Sequence, residues 1–372
     1  MVLKKYNLSE YDFFLVLLVV GLTIFGTLAI CSANPSYLYK QVGGLLFGVF
    51  LMIAISLLDY NFILKLYGLF YIGNVVILAL VLTPGIGKNI NGSQRWIDIL
   101  GIRFQPSETA KLLLILFFAQ FIMKYKDKVK NLGFIFICLL FLGVPFILIF
   151  KQPDLSTCIM IMLIFCGIIF VAGIDWRIVA TVLAVSVPLG LYEIYCALQG
   201  MHGLIIKPYQ QSRILAWLHP EDFAKEEAYQ TINSMMAIGS GQLYGKGYNT
   251  DGITSVLNGG FISESQTDFI FTVIGEEFGF IGASVVVVAI MIIAIKCLMI
   301  SLKAKDKAGE FIAVGVGCWI GFQGLMNIGV ATGVLPNTGI PLPFVSSGLT
   351  SLLATYAGIG FVLNVRLQSN KY

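Results

Sequence analysis

Three polar clusters interrupt an otherwise apolar sequence, each at the start of an apolar run. The first is Gln105-Pro-Ser107-Glu108-Thr-Ala-Lys111. Glu108 and Lys111 are three apart and so share a helix face. Either they neutralise each other and lock helix packing, or Lys111 offers a cation to an anionic substrate while Glu108 orients it. The second cluster is Lys151-Gln-Pro-Asp154-Leu-Ser-Thr157. An aspartate there can cap the helix that follows, complementing its dipole, and can also line a pocket. The third is Thr267-Asp268-Phe-Ile-Phe-Thr-Val-Ile-Gly-Glu276-Glu277. Eight residues carry a helix about 80° past whole turns and about 12 Å along its axis. Glu276 therefore shares a broad face with Asp268, and Glu277 points nearly opposite, toward another helix. Capping is the competing role for Asp268, although Thr267 could supply it. A carboxylate at a membrane boundary can accept a proton, and a cation can offset developing negative charge. Acids kept where charge is expensive point to function.

These clusters require a bilayer around them. Hydrophobic residues make up 58% of the 372, charged residues only 12%, and the mean hydropathy is +0.87. A soluble domain carries roughly twice that charge. Apolar runs long enough to cross about 30 Å of hydrocarbon recur throughout. The expectation is an all-α polytopic membrane protein of about ten transmembrane helices. The spans fall near 11–32, 41–58, 61–82, 107–123, 132–150, 155–172, 177–197, 268–299, 309–332 and 346–366. The first run is longer than a signal-peptide core and is taken as a retained helix. With the N-terminus inside, inner segments hold 14 of the 24 basic residues, among them Lys4, Lys5 and the Lys124 to Lys130 cluster. Both termini are then cytoplasmic in a multi-pass cytoplasmic-membrane protein.

The large loop between the seventh and eighth spans, 198–267, faces outward in that arrangement. Its length is too great for a mere connector. It holds Arg213-Ile-Leu-Ala-Trp-Leu-His-Pro, an acidic stretch from Glu221 to Gln230 expected to be helical, and a glycine-rich run from Gly239 to Gly247. It is expected to lie on the membrane within a single transmembrane domain spanning 1–372. A second outer loop, 83–106, carries turn signals at Pro84-Gly and Asn91-Gly. The seven cysteines form no CxxC pair and read as small apolar residues. His202 and His219 are too few and too distant for a histidine metal site. Gly245-Lys246 lacks the first glycine and the Ser/Thr of a phosphate-binding loop. Gly44/Gly48, Gly275/Gly279 and Gly317/Gly321 have the spacing of close helix packing. A stiff, uncharged loop, Gly333 to Thr350, leads into the last span.

In this order, the motifs resemble the SEDS family (shape, elongation, division and sporulation), which includes RodA and FtsW. The resemblance rests on Asn91-Gly-Ser-Gln-Arg95-Trp96-Ile, Phe104-Gln-Pro-Ser-Glu108-Thr-Ala-Lys111, Gln152-Pro-Asp-Leu, Thr267-Asp268-Phe-Ile-Phe with Gly275-Glu-Glu277, and Pro336-Asn-Thr-Gly-Ile-Pro-Leu-Pro-Phe344-Val-Ser. It covers essentially the whole chain. Two departures stand out: Ser156 replaces a glycine, and Ser346-Ser-Gly-Leu349 replaces Ser-Tyr-Gly-Gly.

The resemblance implies an inverting peptidoglycan glycosyltransferase that polymerises lipid II at the outer face of the membrane. A lipid pyrophosphate would be the leaving group. Asp268 would be the general base, with Glu108 and Lys111 also catalytic. Arg213, Asp154, Gln105, Ser107, Arg95 and Glu276 would bind substrate. No cofactor is established, although a divalent cation, magnesium or manganese, would suit a pyrophosphate. The implied partners are the nascent glycan strand, a class B penicillin-binding protein and other elongation or division proteins, and no nucleic acid. The compact chain without long tails favours the elongation branch typified by RodA, hence rod shape. Two rivals stand beside this reading: a lipid II flippase, and a scaffold that only activates a partner enzyme.

Overall fold

Every apolar run expected to cross a bilayer is helical in the computed structural model, which describes residues 10–90, 93–99, 102–201, 203, 208–249 and 262–369. The helices are α1 (Phe13–Ala33), α2 (Leu38–Leu57), α3 (Tyr60–Leu64), α4 (Tyr67–Val81), α5 (Pro106–Lys124), α6 (Leu132–Lys151), α7 (Leu155–Val171), α8 (Trp176–Leu198), α9 (Pro208–Leu218), α10 (Tyr229–Ser240), α11 (Ile270–Ser301), α12 (Lys307–Ala331) and α13 (Leu349–Leu367). Among the described residues, α1, α2, α5, α6, α8, α11, α12 and α13 are long and apolar enough to span, and α4 and α7 are shorter apolar helices. The chain is a multi-pass helical membrane protein.

Local chemistry sets many of the helix starts. Asp12, Asn131, Asp154 and Asp175 each accept a hydrogen bond from an amide in the first turn of α1, α6, α7 and α8. Pro106 opens α5, where its missing N–H costs nothing. Pro208 opens α9, which stops before Pro220.

The helices gather into two compact units. One comprises Met1–Gly173, Val286–Gly324 and Pro343–Tyr372; the other comprises Ile174–Val285 and Leu325–Leu342. In the first, α13 packs along α2, with Gly44 facing Leu349 and Leu352, and Gly48 facing the Tyr356 ring. Gly317 and Gly321 face Ala294 of α11. These are the close helix approaches expected of that spacing. α5 packs against α4, α7 and α13 and is largely enclosed. That enclosure lets it carry polar groups that lipid would not tolerate.

The structure departs from the sequence reading in four places. The span expected at 61–82 divides into α3 and α4 at Lys65-Leu66. Tyr60 explains the division, because its amide donates to Asn364 Oδ1 and its hydroxyl to Asp306, which anchors α3 to the protein. Second, the 83–106 loop folds into an antiparallel sheet of β1 (Gly87–Ile90), β2 (Ser93–Ile99) and β3 (Ile102–Phe104), in that order. Pairing Lys88 with Trp96 and Asp98 with Arg103 fixes the register, and Lys88 meets Asp98 at 2.5 Å. Third, the acidic stretch forms turns from Glu221 to Ala228, and helix begins only at Tyr229. The Glu226 and Ala228 amides both donate to the Phe223 carbonyl, at 3.0 and 3.2 Å, which closes a turn in place of a helical ladder.

Fourth, α11 is broken at Gly279, which has φ 64° and ψ −162°. The Gly275/Gly279 pair does permit close approach, but a loop and α10 approach it. A Cβ at Gly279 would overlap the backbone of Leu243 and Gly245, and one at Gly275 would press on Ile238 of α10.

All seven cysteines are free thiols, in keeping with their apolar reading. Lys4, Lys5, Asn91-Gly92, His202, Lys371 and 250–261 of the large loop lie outside the described residues.

Candidate active site

Glu108 and Lys111 lie on the first turns of α5 and are buried, at 3% and 1% exposure. Lys111 Nζ donates to Glu108 Oε1 and to Gln323 Oε1, both at 2.7 Å. The ammonium lies 5.1 Å from the centroid of the Trp319 ring, and Trp319 Nε1 donates to the same Gln323 oxygen at 2.7 Å. The ion pair therefore exists, inside a larger network that includes α12. Glu108 Oε2 is buried without a hydrogen-bond partner in the protein.

A second cluster centres on Asp154, which is buried and caps α7. Its Oδ1 accepts from the Thr157 amide at 3.2 Å, the capping bond. Its Oδ2 accepts from Ser107 Oγ at 3.2 Å, and Gln105 Nε2 donates to Ser107 Oγ at 3.1 Å. Arg95 on β2 reaches the same turn. Its Nε donates to the Gln152 carbonyl at 3.1 Å and its Nη2 to the Pro153 carbonyl, while its Nη1 lies 3.9 Å from Asp154. The sheet thus positions a guanidinium that clamps the α6–α7 turn. The Gln105 amide meets Thr350 Oγ1 at 3.3 Å.

Asp268 is half-buried, in the turn that leads into α11 at Ile270. Its main-chain carbonyl accepts from Asn327 Nδ2 at 2.7 Å, and the same nitrogen donates to the Ile340 carbonyl at 2.7 Å. A Cβ at Gly339 would lie 3.2 Å from Asp268 Oδ2, so the proline-rich loop runs beside the carboxylate. Gly339 has φ +68°, which a side chain rarely adopts. α9 holds this loop from a second direction. Arg213 Nη1 donates to the Asn337 carbonyl at 3.3 Å and Trp217 Nε1 to the Gly333 carbonyl at 3.0 Å. These two residues are four apart, on one helix face.

Deeper in α11, Glu276 is buried and pairs with Lys246 at 2.8 Å. Glu277 is also buried, and its Oε1 accepts from the Asn249 amide at 3.3 Å. Main-chain bonds complete the break. The amides of Lys246 and Gly247 donate to the carbonyls of Glu276 and Glu277, at 2.9 and 3.1 Å. The amides of Phe280 and Ile281 donate to the carbonyls of Gln242 and Leu243, at 2.8 and 3.2 Å. The groups freed by the break are thereby satisfied, as a dry environment demands.

Among the described residues, no group of three His, Cys, Asp or Glu side chains converges to hold a metal ion. No described residue is therefore assigned to hold a divalent cation.

Sequence reasoning missed Trp319, Gln323, Asn327 and Gly339. The first three stand at positions i, i+4 and i+8 of α12. Polar Gln323 and Asn327 on one face of an apolar helix were the available signal.

A helical membrane protein with buried ion pairs and a half-buried carboxylate at a helix entrance is the class these features define. Residues 6–371 match the cell cycle protein family that takes in FtsW, RodA and SpoVE. A relative from Geobacter sulfurreducens, called "Probable peptidoglycan glycosyltransferase FtsW", is 31% identical over 373 residues, covering 96% of each chain. A chain of a solved peptidoglycan synthase complex, described as coordinating polymerization and crosslinking, is 28% identical with a TM-score of 0.79, covering 96% of this chain and 97% of that one. The Rod shape determining protein RodA of Thermus thermophilus is 26% identical with a TM-score of 0.69, covering 97% and 98%. The chain belongs to the FtsW/RodA/SpoVE family, the group identified above as SEDS.

Proposed function

We propose that this chain is a peptidoglycan glycosyltransferase that polymerises lipid II, a disaccharide-pentapeptide on undecaprenyl pyrophosphate, at the outer face of the cytoplasmic membrane. The observation that carries the proposal is the half-buried Asp268 carboxylate, with its main chain held by Asn327 and its side chain beside Gly339. Full-length relatives named for this activity support it. Asp268 takes the proton of an acceptor sugar hydroxyl as that oxygen attacks the anomeric carbon. The bond to the lipid pyrophosphate breaks, and attack opposite the leaving group inverts the centre. Lys111 and Arg213 offset the charge on the departing pyrophosphate. Lys111 gives two of its three N–H donors to Glu108 and Gln323, and the third is left for a phosphate oxygen. Gln105, Ser107, Arg95, Asp154 and Glu276 support the substrate from positions already fixed by bonds within the protein.

In this reading both termini are cytoplasmic, and 198–267 is an outer surface within one transmembrane domain. The FtsW name of the relatives favours a role in division over the elongation role read from chain length. A class B penicillin-binding protein is the proposed partner, supported by the likeness to a chain of a synthase complex.

The test is purified protein with its cognate partner and lipid II, and no other glycosyltransferase. Glycan made by wild type and abolished in Asp268→Asn is expected. An Asp268→Asn variant working at the normal rate removes the base assignment. Wild type that makes no glycan yet moves labelled lipid II between leaflets would establish a transporter instead. Depletion of the protein is expected to give filaments; round cells would return it to elongation.

A further inference from the structure

We propose that Gln323 is a positioning residue for the Lys111 cation and that Trp319 sets the orientation of the Gln323 amide. This deepens the proposed function and rests on it for the catalytic part of the test.

Two donors converge on one acceptor. Gln323 Oε1 receives Lys111 Nζ and Trp319 Nε1, each at 2.7 Å. Gln323 and Trp319 are fully buried, and Lys111 is 1% exposed. Indole nitrogen can only donate, and so can an ammonium. A flipped amide would turn its NH2 toward both and lose both bonds, so the site admits one orientation. With the oxygen fixed, Gln323 and Glu108 Oε1 together define where the ammonium points. The Trp319 face, 5.1 Å from Nζ, adds a third attractive surface. Glu108 supplies the opposite charge, and Gln323 supplies direction without adding charge. An ammonium has three N–H donors, so with Glu108 and Gln323 both kept, one remains for an arriving anionic group.

The experiment compares Gln323→Met, Gln323→Glu and Trp319→Phe in the full chain with its partner, each with intact thermal unfolding. Methionine keeps the volume and removes the acceptor. Glutamate keeps an acceptor oxygen in either protonation state. Phenylalanine keeps a ring face and removes the indole donor. Gln323→Met is expected to lower kcat about tenfold or more with KM nearly unchanged, since Lys111 acts on charge developing in the transition state. Gln323→Glu is expected to retain more of kcat, and Trp319→Phe to fall between. Equal losses in Gln323→Met and Gln323→Glu, or a kcat near wild type in Gln323→Met, would overturn the assignment.

Amine-selective labelling of Lys111 supplies a readout that does not depend on activity. Gln323→Met is expected to label faster at Lys111 and at no other lysine. Unchanged labelling, or faster labelling at every lysine, counts against the proposal even if wild type proves to be no polymerase. Absence of glycan from wild type, with Lys111-specific labelling intact, would overturn the proposed function and leave the positioning role standing.

Discussion

Asn327 and Asp268 are joined by a 2.7 Å hydrogen bond from side-chain amide to main-chain carbonyl, and the same nitrogen binds the Ile340 carbonyl. One buried side chain therefore fixes the acid's backbone to the proline-rich loop. Asn327→Leu should lower stability by about 1–3 kcal/mol, because two buried carbonyls lose their donor. Asn327→Asp should cost more, since a carboxylate would face two carbonyl oxygens. Thermal unfolding in detergent checks both. Equal melting of Asn327→Leu and wild type would show that the two bonds carry no weight.

Gly339 presents the opposite wall to the carboxylate. Its φ of +68° and the 3.2 Å left for a Cβ beside Asp268 Oδ2 leave no unstrained place for a side chain. Gly339→Ala should destabilise by roughly 1–2 kcal/mol from backbone strain alone. Glycan synthesis should fall further than the melting temperature implies, because the methyl group displaces the candidate base. An active, normally melting Gly339→Ala protein would disconnect this loop from the acid.

Arg95 distinguishes a clamp from a substrate ligand. Its three nitrogens face two carbonyls and Asp154 at once. A lysine cannot reproduce that fork. Arg95→Lys should melt much as Arg95→Ala does. If lysine restores full stability and activity, the residue serves as a simple positive charge.

Tyr60 gives a pH dependence. Its hydroxyl donates to Asp306 at 2.9 Å, outside the spanning helices. Burial first, and then the Asp306 charge, push this hydroxyl above its ordinary 10.0. A value raised on folding means that the contribution is complete below the unfolded value and disappears as pH climbs through the folded one. The stability gap between wild type and Tyr60→Phe should hold across roughly pH 6 to 9 and shrink above about 10. Denaturation at a series of alkaline pH values measures it. A gap that instead closes toward neutral pH would refute this account.

The spanning helices were legible because bilayer crossing imposes length and apolarity on a single stretch of sequence, from Phe13–Ala33 to Leu349–Leu367. The 83–106 sheet was not. Its strands are short, and its polar residues read equally well as a solvated loop. The break at Gly279 escaped for a related reason. GxxxG spacing announces close approach but not what approaches, and here it is the backbone of residues 243 and 245. Glu108, Lys111, Asp154 and Asp268 were visible as charges that a membrane penalises. Gln323 and Asn327 carry no charge, and their roles arise from partners distant in sequence, Lys111 and Asp268.

The exchange of main-chain bonds between 242–247 and 276–281 changes what the large loop is. A stretch that looks like surface connector supplies main-chain rungs to α11, while Leu243 and Tyr244 keep their side chains exposed. Tags or insertions should be tolerated in the acidic turns at 221–227, where the backbone makes no such bonds to α11. The same insertion between Gln242 and Gly247 would unseat the helix and deny the protein a folded form.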